Sequence, residues 1–464
     1  MRLLRANQQY LVRRGAVTAM VAVCLLLMIP AVVALVVDGG MLLNERRRAQ
    51  ATADAAAMAA ACVLYDNYPV DQGQGKVGNP SQSALDVASA NGYTNDGTTS
   101  SVTVNIPPQS GIYAGLPGYA EVIVTYYQGR AFSSFLGSGT LPVKARAVAR
   151  GAWTDPNVGV LVLNYSGKGT LSDQGNGAFT DVGAKVIVNS NNPSAAMDTG
   201  NGTIIAPEFD ITGGYTITGG GQMLTAPTPN NILTGTHPTP DPLAYLPVPS
   251  QPSSANVLTQ GNKVAPTYTN YDYTLPDGTV KTYSNVYILT PGAYGGPSEP
   301  QLPNFTNKDL ILFQQASAGG KGIYYLTSGG FTNNSADVIM DPSTSGGVMI
   351  YNAGIGTSDG INIAGNSNGY VNLSGPTSGI YQGLVFFQAR NAPEDVQIAG
   401  DGTFNLTGTL YASDATLKVS GNGTYSNVGS QYVSLDLSIS GNGNVGIKYK
   451  GPKVARVRIL TLVE

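Results

Sequence analysis

The feature that most limits the fold is an uncharged apolar run over residues 16–37, interrupted only by the hydroxyl group of Thr18. As an α-helix this run would be about 33 Å long, which is enough to cross the hydrocarbon core of a bilayer. A cleaved signal peptide has a shorter apolar region followed by a small-x-small site, and a helix buried in a soluble domain keeps a polar face. We therefore predict a transmembrane anchor over residues 15–37.

Charged residues on both sides of the run predict its orientation. Four arginines precede it, namely Arg2, Arg5, Arg13 and Arg14. On the far side, Asp38 ends the run and Glu45 partly offsets the arginines that follow. Because positive charge is retained on the cytoplasmic side, residues 1–14 are predicted to be cytoplasmic, and the body of the chain should lie outside the cytoplasmic membrane.

An alanine-rich segment continues the helix beyond the anchor, since alanine has the most favourable helix propensity. Arg46, Gln50 and Asp54 recur there every four residues and therefore share one stripe. Two interpretations of this stripe stay open, a polar contact with a partner subunit or a solvated helix face. Small residues on another face would let the helix approach a sheet or a second helix closely; they are Ala49, Ala53, Ala57 and Ala60.

The residues around this stripe also carry a family resemblance. The pattern consists of Asp38, Gly40, Arg46, Arg48, Gln50 and Asp54. Over residues 13–61 it resembles the N-terminal segment of TadG-like proteins of the Tad (tight adherence, Flp pilus) machinery, and a looser likeness extends to about residue 150 through residues 129–137. The resemblance implies that the six residues contact other Tad subunits. It also implies a single-pass protein of the bacterial inner membrane, without catalysis, whose body is periplasmic or extracellular.

A short helix and three strands are predicted between the anchor and residue 152. The helix covers residues 81–90, where Asn91 and Gly92 provide a left-handed stop. Alternating or β-branched segments predict strands at 102–106, 120–126 and 141–152. Residues 38–152 should therefore form a helix laid on a small antiparallel sheet, an α+β base similar to a pilin.

Beyond residue 153 a Gly-Asn-Gly phrase repeats. The phrase or a close variant occurs at 175–177, 200–202, 400–402, 421–423 and 441–443. Alternating aliphatic residues precede the later copies with a period of about 20 residues, which is the length of one coil in a parallel β-helix. Such coils bury their apolar side only by stacking, and their Asn residues would form a ladder at the corner. The chain is therefore predicted to be mainly β, with a right-handed parallel β-helix over residues 153–464.

Two segments of this predicted solenoid depart from the repeat. Eight prolines between residues 226 and 254 preclude a paired interior strand. The segment is either a strap along the solenoid or a hinge between two halves, and we prefer the strap because residues 159–223 hold only about three coils. The basic tail at 447–464 is expected to close the end of the solenoid as a charged strand, with contact to an anionic surface as the alternative.

Composition argues against several kinds of chemistry. Residues 151–464 carry 13 Lys or Arg against 20 Asp or Glu, so no nucleic-acid partner is expected. The chain has one histidine, His237, and two cysteines, Cys24 and Cys62, which a continuous helix would hold about 57 Å apart. We therefore expect no metal, no cofactor and no disulfide within the chain.

Carboxylates at coil-length spacing are the one enzyme-like feature. Asp337 and Asp359 are 22 residues apart, as are Asp414 and Asp436. Paired carboxylates supply the acid and base of glycoside cleavage, but some such spacings arise by chance. The predicted function is a non-enzymatic, membrane-anchored component of Tad/Flp-type pilus assembly or surface attachment. The alternative is a β-helical protein that binds or cleaves polysaccharides, with surface glycans as its partner.

Overall fold

The computed structural model describes residues 3–131, 134, 137–315, 322–365, 369–422 and 426–464. The side chains of residues 3–16, 27, 31, 34, 35, 182 and 426 lie outside this description. Residues 1 and 2 of the predicted cytoplasmic N terminus, and the side chains of its other residues and of part of the predicted anchor, therefore fall outside the described part of the chain. The chain divides into two compact units, residues 1–153 together with 458–464, and residues 154–457.

The first unit combines two helices with an antiparallel sheet. Its elements are α1 (Leu3–Asp71), α2 (Pro80–Ala90), β1 (Ser100–Asn105), β2 (Tyr119–Gly129) and β3 (Thr140–Thr154). β2 pairs antiparallel with both of its neighbours. α2 begins at Pro80, whose missing N–H removes no hydrogen bond in the first helical turn. The predicted short helix and the three predicted strands are confirmed to within a few residues, while the segment at 129–137 lies partly outside the described residues.

Small side chains bring α1 close to the sheet. Gly151 of β3 lies so near the helix that a Cβ atom there would be 1.8 Å from the carbonyl oxygen of Ala61. Valines such as Val122 complete the core from the sheet side. Each alanine buries little area, so many close contacts rather than large side chains stabilise this unit. The alanines predicted to form one packing face are all fully buried: Ala49, Ala53, Ala57 and Ala60.

Apolar side chains also cover the part of α1 that precedes Asp38. Val17, Met20, Leu26 and Val36 are each more than half exposed, with Leu26 reaching 74%. No helix within the described residues is long and apolar enough to span a membrane. The anchor predicted over residues 15–37 therefore stays a prediction.

The C-terminal strand belongs to the first unit. It is β33 (Val457–Leu462), which lies beside β3 in a sheet of order β1-β2-β3-β33. The N–H of Val148 donates to the carbonyl of Glu464 at 2.8 Å, and the N–H of Val463 donates to the carbonyl of Val148 at 2.9 Å. The expectation that this tail closes the solenoid is wrong for residues 457–464. Alternating basic and apolar residues fit an edge strand of either sheet, so the pattern did not identify the partner strand.

The second unit is built from coils that each contribute short strands to stacked parallel sheets. A first run of coils covers residues 158–234. Its strands are β4 (Val158–Val162), β5 (Leu171–Asp173), β6 (Ala178–Val182), β7 (Lys185–Val188), β8 (Ala196–Asp198), β9 (Thr203–Ala206), β10 (Phe209–Ile211), β11 (Tyr215–Ile217), β12 (Gln222–Thr225) and β13 (Ile232–Thr234). Inward aliphatics stack from coil to coil, as where Val160 pairs with Val186.

A second run of coils follows after a connecting segment. The connection holds β14 (Thr259–Gln260), β15 (Lys263–Val264) and β16 (Tyr268–Thr274). The second run comprises β17 (Val280–Leu289), β18 (Gly292–Tyr294), β19 (Asp309–Phe313), β20 (Ile323–Leu326), β21 (Phe331–Thr332), β22 (Asp337–Met340), β23 (Met349–Asn352), β24 (Ile361–Gly365), β25 (Tyr370–Ser374), β26 (Leu384–Gln388), β27 (Val396–Gly400), β28 (Thr403–Thr407), β29 (Thr409–Ser420), β30 (Ser426–Val428), β31 (Gln431–Ser440) and β32 (Val445–Lys448). β16 and β17 form an antiparallel hairpin at its start.

The two runs meet where the first coil of the first run stacks on the last coil of the second. We call this contact the seam. Tyr432 of β31 pairs with Val160 of β4, and Val445 of β32 pairs with Phe179 of β6, both in parallel. The chain therefore enters and leaves the stack at an internal coil, and the coils do not follow one another in chain order as the repeat implied. The parallel stack is compatible with the predicted β-helix, whose right-handed sense stays a prediction.

The asparagine ladder predicted from the Gly-Asn-Gly phrases is confirmed. Asn201 donates to Asn176 at 3.2 Å, and Asn442 donates to Asn422 at 3.2 Å. Between these pairs, the Asn176 amide donates to Asn442 Oδ1 at 2.6 Å across the seam. The ladder thus joins coils from both runs into one corner.

The proline-rich segment bonds to both runs. The side chain of Asn189, just after β7, exchanges two hydrogen bonds with the backbone of Thr239, at 2.7 and 2.8 Å. On the second run, Nη2 of Arg390 donates to the carbonyl oxygens of Leu243 and Leu246, both at 2.9 Å. Both leucines are also buried. These contacts, which span the seam, are those expected of a strap rather than a free hinge.

Candidate functional site

On α1, some residues of the family pattern bond within the first unit, and others are exposed to solvent. Nε2 of Gln50 donates to Asp54 Oδ1 at 2.8 Å and to the carbonyl oxygen of Arg146 on β3 at 2.9 Å. Gln50 therefore joins the helix to its own sheet, and Asp54 fixes the Gln50 amide. Asp38 is buried, whereas Gly40 and Arg46 are exposed. Within the predicted stripe, Gln50 and Asp54 thus bond to each other, and Gln50 also bonds to the sheet.

Arg48 belongs to a second polar group on the same helix. Its guanidinium lies 3.6 Å from the carboxylate of Glu45, which is itself buried and accepts a 2.6 Å hydrogen bond from the Tyr93 hydroxyl. Burial raises the pKa of Tyr93, and the Glu45 carboxylate adds to that shift, so the phenol stays protonated and continues to donate. Arg48 itself remains largely exposed.

An ion network that the sequence did not reveal fixes the C terminus of the first unit. Arg146 Nε lies 2.6 Å from Glu121 Oε1, and Arg146 Nη1 lies 2.5 Å from Glu464 Oε2. Burial acts to raise the pKa of the fully buried Glu121. Donors from Ser110, Asn105, the Gln109 backbone and Arg146 outweigh it and lower the pKa to about 2. The only sequence signal was an acidic residue within the apolar strand β2.

The spaced carboxylates do not form acid–base pairs. Asp436 is in register with Thr416 of β29, not with Asp414, and it accepts a 3.0 Å hydrogen bond from Asn164. Asp337 begins β22, whereas Asp359 lies before β24 and accepts from the backbone of Gly329 and Gly356. Asp337, Asp359 and Asp436 thus each accept hydrogen bonds from donors on other segments and are not paired with a second carboxyl group.

The remaining candidates also stay apart. Cys24 and Cys62 are free thiols, and His237 is exposed. Within the described residues, no three His, Cys, Asp or Glu side chains are grouped so that they could hold a metal ion.

Comparison with known proteins identifies the N-terminal segment. Residues 15–63 match the family model Tad, described as Flp pilus-assembly TadE/G-like. No curated protein matches the chain. Among solved structures the chain is similar to the competence-associated pilin ComZ from Thermus thermophilus, with 10% identity over 79% of this chain and 83% of that chain, and a TM-score of 0.29. A TM-score this low does not establish a shared fold.

The TadE/G-like match supports a pilus-related role for a protein whose first unit lays a helix on an antiparallel sheet. More particularly, residues 15–63 are a TadE/G-like segment, which confirms the resemblance predicted around Asp38 and Asp54. Proteins of this family are generally structural.

Proposed function

We propose that the protein is a membrane-anchored, non-enzymatic component of Tad/Flp-type pilus assembly or surface attachment that carries a β-helical body outside the cytoplasmic membrane. The observation that supports this proposal is the TadE/G-like match at residues 15–63. It falls on a helix whose described side chains at 17–36 are almost all apolar and exposed. Such a surface favours a bilayer or a partner helix as its surroundings. In this proposal residues 1–14 are cytoplasmic and residues 15–37 cross the inner membrane.

Arg46 is the member of the family pattern that we propose contacts another Tad subunit. Gln50 and Asp54 already bond within the first unit, and Arg48 lies beside Glu45. Arg46 is exposed, so its planar guanidinium is open to a carboxylate on a partner subunit.

The neighbouring Arg47 provides a matched control, since it is also exposed but lies outside the family pattern. We expect Arg46→Ala to reduce piliation and the co-purification of other Tad subunits after crosslinking. Arg47→Ala, which removes the same charge one residue away, should leave both unchanged at equal protein levels. Equal behaviour of the two variants would refute the assignment of Arg46.

A second experiment tests the topology. Protease added to spheroplasts should digest residues 66 onward and leave a small N-terminal fragment with the membrane. A cytoplasmic marker protein must stay intact in the same sample. Protection of the whole chain under these conditions would reverse the proposed orientation.

A further inference from the structure

A cleft of about 530 Å³ opens on the second unit. Its volume is within the range typical of ligand sites. One wall is the turn and first residues of β17 in the β16–β17 hairpin, including Asp277, Thr279 and Lys281. The other wall is the edge at which β19, β22, β25 and β28 begin, so the cleft crosses successive coils.

Asp337 fixes the hairpin wall against the coils. It is 4% exposed, and its Oδ2 atom lies 2.9 Å from Nζ of Lys281. The same oxygen accepts the Tyr283 hydroxyl, and Oδ1 accepts the backbone N–H of Tyr370 at 2.7 Å. All three donors line the cleft, and two of them come from the hairpin. The opposing walls are therefore held in place before any ligand arrives, which lowers the ordering cost of binding.

The coil wall repeats along the stack. Asn307, Ser335, Gly369 and Thr403 lie just before, or at the start of, strands on successive coils. Neighbouring parallel strands are about 4.8 Å apart, so these positions extend over about 14 Å. Amide and hydroxyl groups repeated at this spacing match a ligand that also repeats hydroxyl groups along a chain.

The charges of the cleft argue against a polyanion. Asp277 and Asp337 outnumber Lys281 in the lining, which leaves a net charge of −1. The backbone N–H of Thr279 lowers the pKa of Asp277, so this exposed carboxyl stays ionised. An anionic polymer would meet like charge at the hairpin wall. Leu275, Tyr283 and Tyr370 supply the apolar part of the lining, and because all three are buried they form the floor of the cleft.

We propose that this cleft binds a neutral linear oligosaccharide. Asn307 and Thr403, at opposite ends of the coil wall, would hydrogen-bond hydroxyl groups of different sugars along the chain, and Ser335 lies between them. The inference goes beyond the role in pilus assembly, because it assigns a ligand site on the second unit, whereas the proposed function rests on α1. The two can fail independently.

The test uses the full-length chain in detergent and an array of linear neutral hexasaccharides of glucose, mannose and galactose, with hexagalacturonate as the anionic arm. Hits are titrated in solution with Thr403→Trp, which would fill the cleft, and Asn307→Ala. The matched control is Asn405→Trp, because Asn405 is exposed on the same strand but does not line the cleft. We expect a neutral hexasaccharide to bind, each cleft variant to weaken it about tenfold or more, and the control to bind normally.

Three results would overturn the proposal. The first is that no neutral hexasaccharide binds at millimolar concentration. The second is tighter binding of hexagalacturonate than of every neutral probe. The third is equal loss of affinity in Asn405→Trp and Thr403→Trp, which would show that the effect is not local to the cleft. Piliation of the Arg46→Ala strain is a separate readout and does not alter this outcome.

Discussion

The two runs of coils bury carboxylates in opposite ways. In the second run Asp309 accepts from the Asn285 amide at 2.7 Å and from both the backbone and hydroxyl of Thr306. Asp337 in the same run has three donors. In the first run neither oxygen of the buried Asp181 has a hydrogen-bond partner among the described residues. Asp173 and Asp198 each have one carboxylate oxygen that likewise has no hydrogen-bond partner among the described residues.

Because of this difference, the stability of the first run should depend on the protonation of its buried carboxyl groups. Burial raises the pKa of Asp181 to about 8 and also raises the pKa values of Asp173 and Asp198. Asp181 lies at the seam, in register with the buried Ile447 of β32. It occupies space left by Gly159, where a Cβ atom would be 1.8 Å from Asp181 Oδ2. The first run therefore tolerates this acid because it is held neutral in a space that fits it, whereas the second run stabilises its acids with donors.

The largest effect is expected from placing an unpartnered carboxylate in the second run. Ile398 of β27 is 2% exposed and stacks between coils. Ile398→Asp should cost about 4 kcal/mol or more, because it buries a charge without donors and leaves a gap in the core. Circular dichroism during urea unfolding measures the loss. Gln397→Asp, on the outward side of the same strand, is the control and should unfold like the wild type. A stable Ile398→Asp variant would contradict the comparison between the runs.

A pH dependence is expected from Asp181. In the unfolded chain its carboxyl titrates near pH 3.9, whereas in the folded chain it keeps its proton up to about pH 8. Between these values the unfolded state binds fewer protons, so the free energy of unfolding falls by about 1.4 kcal/mol per pH unit. The stability that protonated Asp181 contributes is fully present below the pKa of the unfolded chain and is lost as the pH rises through the pKa of the folded chain.

Asp181→Asn should remove most of that slope, with a smaller slope left by Asp173 and Asp198. Between pH 5 and pH 8 the stability of the variant relative to the wild type should grow by about 4 kcal/mol. Hydrogen exchange of β6 peptides, corrected for intrinsic rates, provides a local measurement alongside urea unfolding. Asp414→Asn removes an exposed carboxylate and serves as the control. Equal slopes in Asp181→Asn and the wild type would show that Asp181 gains donors in solution.

Local patterns predicted the pieces of both units well. The alanine positions at helical spacing identified the buried face of α1, and strand alternation located β1 to β3. The Gly-Asn-Gly period located coil corners and the asparagine ladder, because each coil must repeat the same turn to stack on its neighbour. The TadE/G-like pattern was visible for a similar reason, since its residues are close together along one helix.

The order in which the pieces assemble could not be predicted. Every coil carries a similar corner phrase, so nothing in the phrase shows that Asn176 bonds to Asn442, 266 residues away. The C-terminal strand likewise alternates like its neighbours in either unit. The Glu121–Arg146 network joins residues that are distant in sequence and surrounded by apolar positions. The cleft could not be predicted either, because its walls come from the β16–β17 hairpin and from the starts of strands on several coils.

A moderate effect is expected when a donor-stabilised acid of the second run is altered. Asp309→Asn keeps the shape of the side chain but replaces an acceptor oxygen with an NH₂ group that faces the donors of Asn285 or Thr306. We expect a loss of about 1–2 kcal/mol at pH 7, opposite in sign to the change at Asp181. Urea unfolding of the two variants at pH 8.5 checks this directly. A gain in stability for Asp309→Asn would show that the donors do not distinguish the runs.

The smallest effect is expected at Asp414, and it also tests the enzymatic alternative. Asp414 is exposed, whereas Asp436 is half-buried and bonded to Asn164, so Asp414→Asn should change the free energy of unfolding by under about 0.5 kcal/mol. Because Asp436 is in register with Thr416, the two carboxylates are not matched across adjacent coils. Acid–base cleavage needs two carboxyl groups that flank one bond. Neither Asp414→Asn nor Asp436→Asn should therefore change any reaction of the full-length chain with neutral or acidic polysaccharides. Cleavage by the wild type that either substitution abolishes would make the second unit an enzyme and would reverse the structural role proposed for it.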